Sequence, residues 1–314
     1  MQSIARKISQ NNFEIIELQN KYCKANIAVN IGNTLIHLSK RSADNALYFP
    51  YSLEEYKTNT KLAGNPFMHP WANRLEGDFI TFNNEKFSLK DEFNQLYKDA
   101  NRLPLHGLLL KSDKWKTTEL VANVDHAFHV AMYDFDAEFF NLFPFKHQIF
   151  MKHLLQENTL LIETTIVNND EKPMPISFGF HPYFSKTIEP TVLEIPSDTV
   201  IEVDKQMIPT GKSLNKNEKW NFEDDSITIK EETFDDGFKN LKYKNNQATF
   251  SINTIDVVFD EQYSYAQIYA PNKIEKPYVC IEPMTAPTNA LNTNNCKMIN
   301  RNETFTARFS IVLP

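Results

Sequence analysis

Glycine is scarce in this chain, with only seven residues among 314. Because glycine alone tolerates positive φ and close backbone approach at little cost, a chain that uses it sparingly places it where a side chain would obstruct something. Three of the seven, Gly77, Gly107 and Gly179, lie within or just after short motifs rich in polar and aromatic residues. We therefore expect those motifs to hold sites with strict steric demands.

Cysteine and long apolar runs are scarce as well. The three cysteines, Cys23, Cys280 and Cys296, are too few and too widely spaced for a disulfide framework or a zinc knuckle. No window of about 18 apolar residues occurs, so we expect no membrane span. The first residues lack the apolar stretch of a signal peptide. Together these absences predict a protein of the reducing cytoplasm.

Basic clusters are absent too, since no basic run is longer than a dipeptide and the net charge is −7. Nucleic-acid binding needs clustered Lys and Arg, so we expect no nucleic-acid partner. Apolar residues, in contrast, are plentiful: they make up 41% of the chain and include 24 Phe. This content is enough for a packed core and excludes a disordered chain.

Short alternating segments dominate the chain, and the last of them is the clearest. Phe305, Ala307, Phe309 and Ile311 fall at period two, so they share one face of a predicted strand. Residues 79–89, with two Asn in the middle, predict a hairpin. Many such strands joined by short polar loops predict an all-β fold, either a sandwich or a closed barrel.

Few segments depart from this pattern. Short helices are predicted at 136–143, where Pro144 ends the segment, and at 91–99. The polar stretch 211–225 predicts an exposed loop. Because no linker or low-complexity block interrupts the chain, we expect residues 1–314 to form a single domain.

Two titratable side chains lie in apolar surroundings. Glu282 ends an apolar segment before Pro283, where burial would raise its pKa and suit it to act as a general base. A strand-edge Glu that faces solvent would fit the same position. His181 lies between Phe180 and Pro182, and its imidazole suits a general acid near neutral pH. A core histidine bonded to a backbone carbonyl would fit there equally.

Two earlier motifs add polar side chains. His106, before Gly107, suits a donor to a developing oxyanion or ring oxygen, although a histidine in a plain turn would look the same. Arg74, next to Asn73, offers a rigid fork of donors for adjacent hydroxyls or a carboxylate. Trp71 is expected to fill the core rather than to stack on a sugar.

The eight histidines do not predict a metal site. His126 and His129 are three residues apart on a predicted strand and so face opposite sides. His147 and His153 share a face but lie about 20 Å apart at about 3.3 Å per residue. No His-Glu-x-x-His, phosphate-binding Gly-rich loop or Gly-x-Ser-x-Gly elbow occurs. We therefore expect neither a metal nor a serine nucleophile.

Taken in order, these motifs resemble those of the aldose 1-epimerase (galactose mutarotase) family, from about residue 30 to 312. The matching segments are Asn73-Arg74, Leu105-His106-Gly107, His181-Pro182-Tyr183-Phe184, Phe234-Asp235-Asp236-Gly237-Phe238 and Ile281-Glu282-Pro283. By local chemistry alone the two Asp before Gly237 would form a turn. The resemblance implies a large antiparallel β-supersandwich, no cofactor, and a monomer or homodimer.

The resemblance also implies a function, the interconversion of the α and β anomers of a hexose by ring opening and reclosure. Glu282 would take the proton from the C1 hydroxyl, His181 would protonate the ring oxygen, and His106 would share the charge that develops on oxygen. This requires ionised Glu282 and protonated His181 together, a state that opposite charges favour. We therefore expect activity to fall on both sides of neutral pH. The residues implied to hold the sugar hydroxyls are Asn73, Arg74 and Asp235.

Three departures from the family leave the sugar open. Leu108 follows Gly107 where the family often has another Gly, Pro182 stands in place of a Ser common in the galactose-preferring branch, and the Asp motif can be aligned on Asp235 or Asp236. A hexose-6-phosphate version would need extra cations, for which Arg102 or Lys111 are candidates. The same residues would also fit a glycoside hydrolase with two carboxylates or a non-catalytic sugar-binding protein.

Overall fold

The computed structural model describes residues 2–41, 43–82, 85–89, 96–135, 139–186, 190–229, 233–271 and 276–314. These ranges contain twenty-five strands and three short helices. The first strands are β1 (Ile4–Gln10), β2 (Phe13–Gln19), β3 (Cys23–Ala28), β4 (Thr34–Lys40), β5 (Phe67–Met68), β6 (Phe79–Phe82), β7 (Glu85–Ser88), β8 (Lys116–Ala122), β9 (His126–Phe135), β10 (His147–Gln156), β11 (Thr159–Asn168), β12 (Met174–Ile176) and β13 (Gly179–Phe180). The others are β14 (Tyr183–Ser185), β15 (Thr191–Glu194), β16 (Thr199–Val203), β17 (Pro209–Asn215), β18 (Ser226–Ile229), β19 (Phe234–Lys239), β20 (Gln247–Ile252), β21 (Ile255–Asp260), β22 (Tyr265–Ala270), β23 (Tyr278–Met284), β24 (Lys297–Ile299) and β25 (Thr304–Val312). The helices are α1 (Leu53–Thr58), α2 (Lys216–Lys219) and α3 (Ala290–Thr293).

Two large antiparallel sheets form the body of the molecule. One has nine strands in the order β18-β15-β20-β21-β25-β11-β10-β9-β8. The other has eight, in the order β17-β16-β19-β22-β23-β13-β5, with β14 also paired to β23. A four-stranded sheet, β1-β2-β3-β4, precedes them in the chain. The prediction of an all-β antiparallel sandwich is therefore confirmed.

The hydrophobic core lies between the two large sheets. In β23, Val279 and Ile281 belong to this core, and the rings of Phe180 on β13 and Phe309 on β25 lie 5.0 Å apart across it. Each such buried side chain stabilises the fold by about 1.5–3 kcal/mol. Because side chains alternate along a strand, Glu282 of β23 lies on the opposite face. That face of the eight-stranded sheet is where the candidate site forms.

Two local predictions can be compared with the described residues. The hairpin at 79–89 is confirmed by the antiparallel pairing of β6 and β7, whose connecting residues 83–84 lie outside the described ranges. Of the helix predicted at 136–143, residues 139–143 form a turn, and 136–138 lie outside. Of the helix predicted at 91–99, residues 96–99 are not helical, and 91–95 lie outside.

The prediction of an exposed loop at 211–225 is right about exposure for most of these residues but wrong about a loop for residues 211–219. Its first residues belong to β17, which pairs with β16, and α2 follows directly. Asn215 begins this helix with a capping box, because its side chain and that of Glu218 satisfy each other's backbone N–H groups. A polar composition was compatible with ordered structure here because an edge strand and a short helix leave one side in water.

Candidate active site

A cavity of about 610 Å³ lies on the outer face of the eight-stranded sheet. All six side chains predicted from the sequence line it, although they come from positions more than 200 residues apart. The full lining is Tyr48, Pro50, Tyr51, Lys61, Leu62, Asn73, Arg74, Tyr97, Leu105, His106, His181, Tyr183, Asp235, Gln267, Tyr269, Lys276, Tyr278 and Glu282. Hence the fold gathers every predicted site residue around one space.

Glu282 and His181 form the buried centre of this cavity. His181 Nε2 lies 3.3 Å from Glu282 Oε1, and the two side chains are 6% and 2% exposed. Burial raises the pKa of Glu282 well above its usual value, and the nearby Asp235 carboxylate adds to the rise. Burial lowers the pKa of His181 to about 3. Both shifts favour the neutral form of each group, not the ionised pair expected from the sequence.

His106 is held beside this pair by an unusual backbone. Its φ is 62° and that of Gly107 is 74°, and a Cβ on Gly107 would collide with the carbonyl group of His69. Only glycine fits this close approach, as its scarcity in the sequence suggested. The rings of His106 and His181 meet edge to face, with centroids 5.0 Å apart. Burial lowers the pKa of His106 well below 6.5, and the neighbouring His181 and Arg74 add to this shift.

Arg74 and Asp235 form a polar group at the side of the cavity. Arg74 Nη1 donates to Asn73 Oδ1 at 3.1 Å, and Arg74 Nη2 lies 3.8 Å from Asp235 Oδ2. Burial raises the pKa of Asp235, and the Arg74 guanidinium opposes that rise. Gln267, which the sequence reasoning missed, donates to Asp235 Oδ1 at 2.6 Å and is the cross-strand neighbour of Glu282. These groups offer donors and acceptors suited to a polyhydroxylated ligand.

The structure separates Asp235 from Asp236. Both lie within β19, so the turn predicted for them is wrong, since antiparallel pairing of Asp235 and Asp236 with Tyr269 and Ile268 of β22 holds this segment extended. Alternation then places Asp235 in the cavity and Asp236 on the buried face. Asp236 is paired with Lys219 and accepts from Trp220 Nε1 at 3.0 Å. Asp235 is therefore the carboxylate available to a ligand.

Tyrosines form much of the remaining cavity wall. The Tyr183 ring stacks on His181 with centroids 4.4 Å apart. The Tyr278 ring contacts Tyr48 and Tyr183, each at 4.9 Å. One signal in the sequence points to Tyr278: it lies four residues before Glu282 on a strand and so shares its face. The other tyrosines come from separate segments and carry no such signal.

Three further residues considered in the sequence lie outside this lining. Trp71 is 1% exposed and packs in the main core, as predicted. Lys111 donates to the carbonyl of Asn59 at 2.6 Å and borders a separate cavity of about 310 Å³. Arg102 is not among the residues lining the larger cavity. Two other cations, Lys61 and Lys276, do line it.

Four of the remaining histidines, His69, His129, His147 and His153, are buried and contact one another in pairs. His129 and His153 are cross-strand partners whose rings stack with centroids 6.1 Å apart, and His69 Nε2 lies 2.7 Å from His147 Nε2. Within the described ranges, no three His, Cys, Asp or Glu side chains gather in a way that could hold a metal ion. Nor does any helix in the same ranges have the length and apolarity to cross a membrane.

Comparison with known proteins agrees with this architecture. The family model for aldose 1-epimerase matches residues 14–311. YihR of Escherichia coli (strain K12) is 23% identical over 229 residues, which cover 71% of this chain and 70% of YihR. A galactose mutarotase-like protein from Clostridium acetobutylicum superimposes with a TM-score of 0.86 at 20% identity, covering 100% of this chain and 99% of the other. Galactose 1-epimerase from Lactobacillus acidophilus superimposes with a TM-score of 0.76 at 17% identity, covering 99% of this chain and 98% of the other.

Proposed function

Since the chain belongs to the aldose 1-epimerase family, we propose that it is a mutarotase, which interconverts the α and β anomers of a free hexose. The observation that carries this proposal is the contact of 3.3 Å between His181 and Glu282 within a cavity bordered by Arg74 and Asp235. An acid and a base in contact, with hydroxyl-binding groups beside them, are what ring opening requires. The three free cysteines support placing this activity in the cytoplasm.

In the proposed mechanism, Glu282 removes the proton from the C1 hydroxyl while His181 protonates the ring oxygen. The C1–O5 bond breaks, giving the open-chain aldehyde. Rotation about C1–C2 presents the other face of the carbonyl, and the same two residues return the protons in the reverse direction. His106 donates to the oxygen on which charge develops, which lowers the barrier.

One proton, carried by either Glu282 or His181, is enough for this mechanism to begin. A neutral carboxyl beside a neutral imidazole has the same total charge as a carboxylate beside an imidazolium. Moving the proton from Glu282 to His181 therefore needs no proton from solvent. Hydroxyl donors of a bound sugar favour the carboxylate form, because hydrogen bonds to a charged group stabilise that form. Binding of the sugar would thus favour a carboxylate on Glu282 beside an imidazolium on His181, the ionised pair that burial disfavours.

Anomer exchange can be measured directly by magnetisation-transfer NMR on glucose and galactose. The proposal predicts exchange faster than the spontaneous rate, in proportion to protein concentration. Absence of acceleration, with sugar binding intact, would instead support a non-catalytic sugar-binding protein. Release of the aryl alcohol from an aryl glycoside would instead support a glycoside hydrolase.

A second candidate substrate is a hexose phosphate. Lys61 and Lys276 line the cavity and make no ion pair with a described residue. Two ammonium groups beside a sugar-sized space suit a phosphate. Repeating the exchange measurement with glucose 6-phosphate separates the two substrates. If the phosphate is preferred, Lys61→Met and Lys276→Met would weaken binding of the phosphorylated sugar and leave free glucose unaffected.

A further inference from the structure

Within the described ranges, Arg74 contacts the side chains of Asp99, Asn73 and Asp235, and of these contacts only that with Asp99 is an ion pair at hydrogen-bond distance. Arg74 Nε donates to Asp99 Oδ2 at 2.8 Å. Its Nη1 donates to Asn73 at 3.1 Å, while its Nη2 remains 3.8 Å from Asp235. The guanidinium is therefore bound to one carboxylate and held short of hydrogen bonding to the other.

Asp99 is itself fixed by its own loop. Its side chain is 7% exposed and does not line the cavity. While Oδ2 takes the Arg74 bond, Oδ1 accepts from the backbone N–H groups of Asn101 and Leu103, both at 2.9 Å. The same loop continues to Leu105, which bridges Arg74 through the backbone. Asp99 therefore cannot follow Arg74 if the guanidinium moves.

Without this anchor, Asp235 would be the one carboxylate of the described residues that lies within 4.0 Å of an Arg74 nitrogen. Asp235 is partly exposed to the cavity, and closing the gap of 3.8 Å would give a direct hydrogen-bonded ion pair. Such a pair would occupy a donor of Arg74 and an acceptor of Asp235. A ligand hydroxyl could then no longer bind to either group. The existing gap keeps both groups available.

We propose that Asp99 is a positioning residue that holds the Arg74 guanidinium away from Asp235 and so keeps a hydroxyl-binding slot open between them. The identity of the ligand as a sugar rests on the proposed function, but the positioning itself does not. Asp99 acts through Arg74 and touches no ligand.

The test compares Asp99→Asn with Asp78→Asn. Asp78 pairs with Lys98 at 3.1 Å, close to the same loop, but contacts neither Arg74 nor the cavity. For Asp99→Asn we expect KM for anomer exchange to rise about tenfold with kcat within about threefold, because uniform binding is lost and the acid–base pair is intact. Asp78→Asn should leave both constants at the wild-type values.

A double-variant cycle separates positioning from a general effect on the loop. In the Asp235→Asn background the guanidinium has no second carboxylate to approach, so adding Asp99→Asn should raise KM by clearly less than tenfold. An equal increase in both backgrounds would overturn the proposal, since Asp99 would then act by anchoring the loop alone.

A crystal structure of Asp99→Asn gives an answer that needs no activity. The proposal predicts that Arg74 Nη2 and Asp235 Oδ2 come within hydrogen-bond distance, about 2.7–2.9 Å. A guanidinium that stays in its wild-type place would refute the proposal. If wild-type protein shows no anomer exchange, the proposed function fails, and this structure still decides the role of Asp99.

Discussion

Two pairs of buried histidines in this molecule look alike by the measures often used to find active sites. His106 and His181 meet beside the cavity, with ring centroids 5.0 Å apart, while His129 and His153 stack between neighbouring strands at 6.1 Å. All four are buried. Burial lowers the pKa of all four, to about 3 for both His181 and His153.

What distinguishes the pairs is their surroundings. His181 faces Glu282 across 3.3 Å in a space that a ligand can enter. His153 lies in the core, and its partner His129 contacts the hydroxyl of Thr117 at 3.1 Å. A perturbed histidine therefore marks a candidate site only when a cavity and an opposite titratable group accompany it. The other pair shows that burial beside a second histidine produces the same shift far from any carboxylate partner of His153.

The difference between the two pairs is tested most directly by replacing one histidine from each. His181→Gln should lower kcat for anomer exchange by about 10²–10⁴-fold, the usual contribution of a general acid. His153→Gln should keep kcat near the wild-type value, because that residue lies outside the cavity. The comparison would fail if both variants lost activity equally while remaining folded by circular dichroism.

The adjacent carboxylates of β19 provide a second matched pair. Asp235→Asn should raise KM about tenfold with little loss of stability, because it removes one acceptor from the cavity. Asp236→Asn should leave KM unchanged but lower the free energy of unfolding by about 1–3 kcal/mol, since it weakens the buried contacts with Lys219 and Trp220 while the Lys219 ammonium remains partly in water. Kinetics and urea unfolding of both variants would check this, and an effect of Asp236→Asn on KM would contradict it.

The pH dependence of activity tests whether the pKa of His181 is lowered by burial. Since the pKa of His181 is lowered to about 3, the pair gains a second proton only near that pH. In place of the fall on both sides of neutral pH expected from the sequence, we expect kcat/KM to stay level as pH falls through about 6.5, the ordinary histidine value, and to decline on the alkaline side where Glu282 loses the shared proton. An acid limb near pH 6.5 would show that His181 titrates as an exposed histidine.

The core pair should instead affect the pH dependence of stability. His153 has a pKa of about 3 in the fold and about 6.5 when unfolded, so between these values only the unfolded chain binds the proton. This residue therefore lowers the free energy of unfolding by about 1.4 kcal/mol for each unit that pH falls below about 6.5. Urea unfolding at pH 7, 6 and 5 should show a smaller decrease in the free energy of unfolding for His153→Gln than for the wild type. Equal decreases in the free energy of unfolding for both proteins would contradict this account of His153.

The sequence predicted the parts of this molecule that local patterns specify. Period-two alternation predicted the strands. Local motifs pointed to five of the cavity residues, Asn73, Arg74, His106, His181 and Glu282, whereas Asp235 followed only from the family resemblance. Gln267 escaped because its role depends on β22 lying between β19 and β23, which no local pattern reveals. The two Asp before Gly237 were mispredicted as a turn because pairing with β22 overrode their local preference.

The protonation of the site also required the fold. Apolar neighbours in the sequence suggested a raised pKa for Glu282, and the structure agrees. The sequence reasoning then paired an ionised Glu282 with a protonated His181, because attraction between opposite charges was weighed without the cost of burying both. The depth of burial is a tertiary property, and it shifts the pKa values of both groups toward their neutral forms.

The central claim is that the carboxyl of Glu282 is the catalytic base. Its most direct test is anomer exchange by wild type, Glu282→Gln and Glu17→Gln, measured by magnetisation-transfer NMR against the spontaneous rate. Glu17 is an equally buried carboxylate, 2% exposed, that pairs with Arg6 and Lys24 away from the cavity. The account predicts that Glu282→Gln loses about 10²–10⁴-fold in rate and that Glu17→Gln keeps the wild-type rate. Full exchange by folded Glu282→Gln would contradict it.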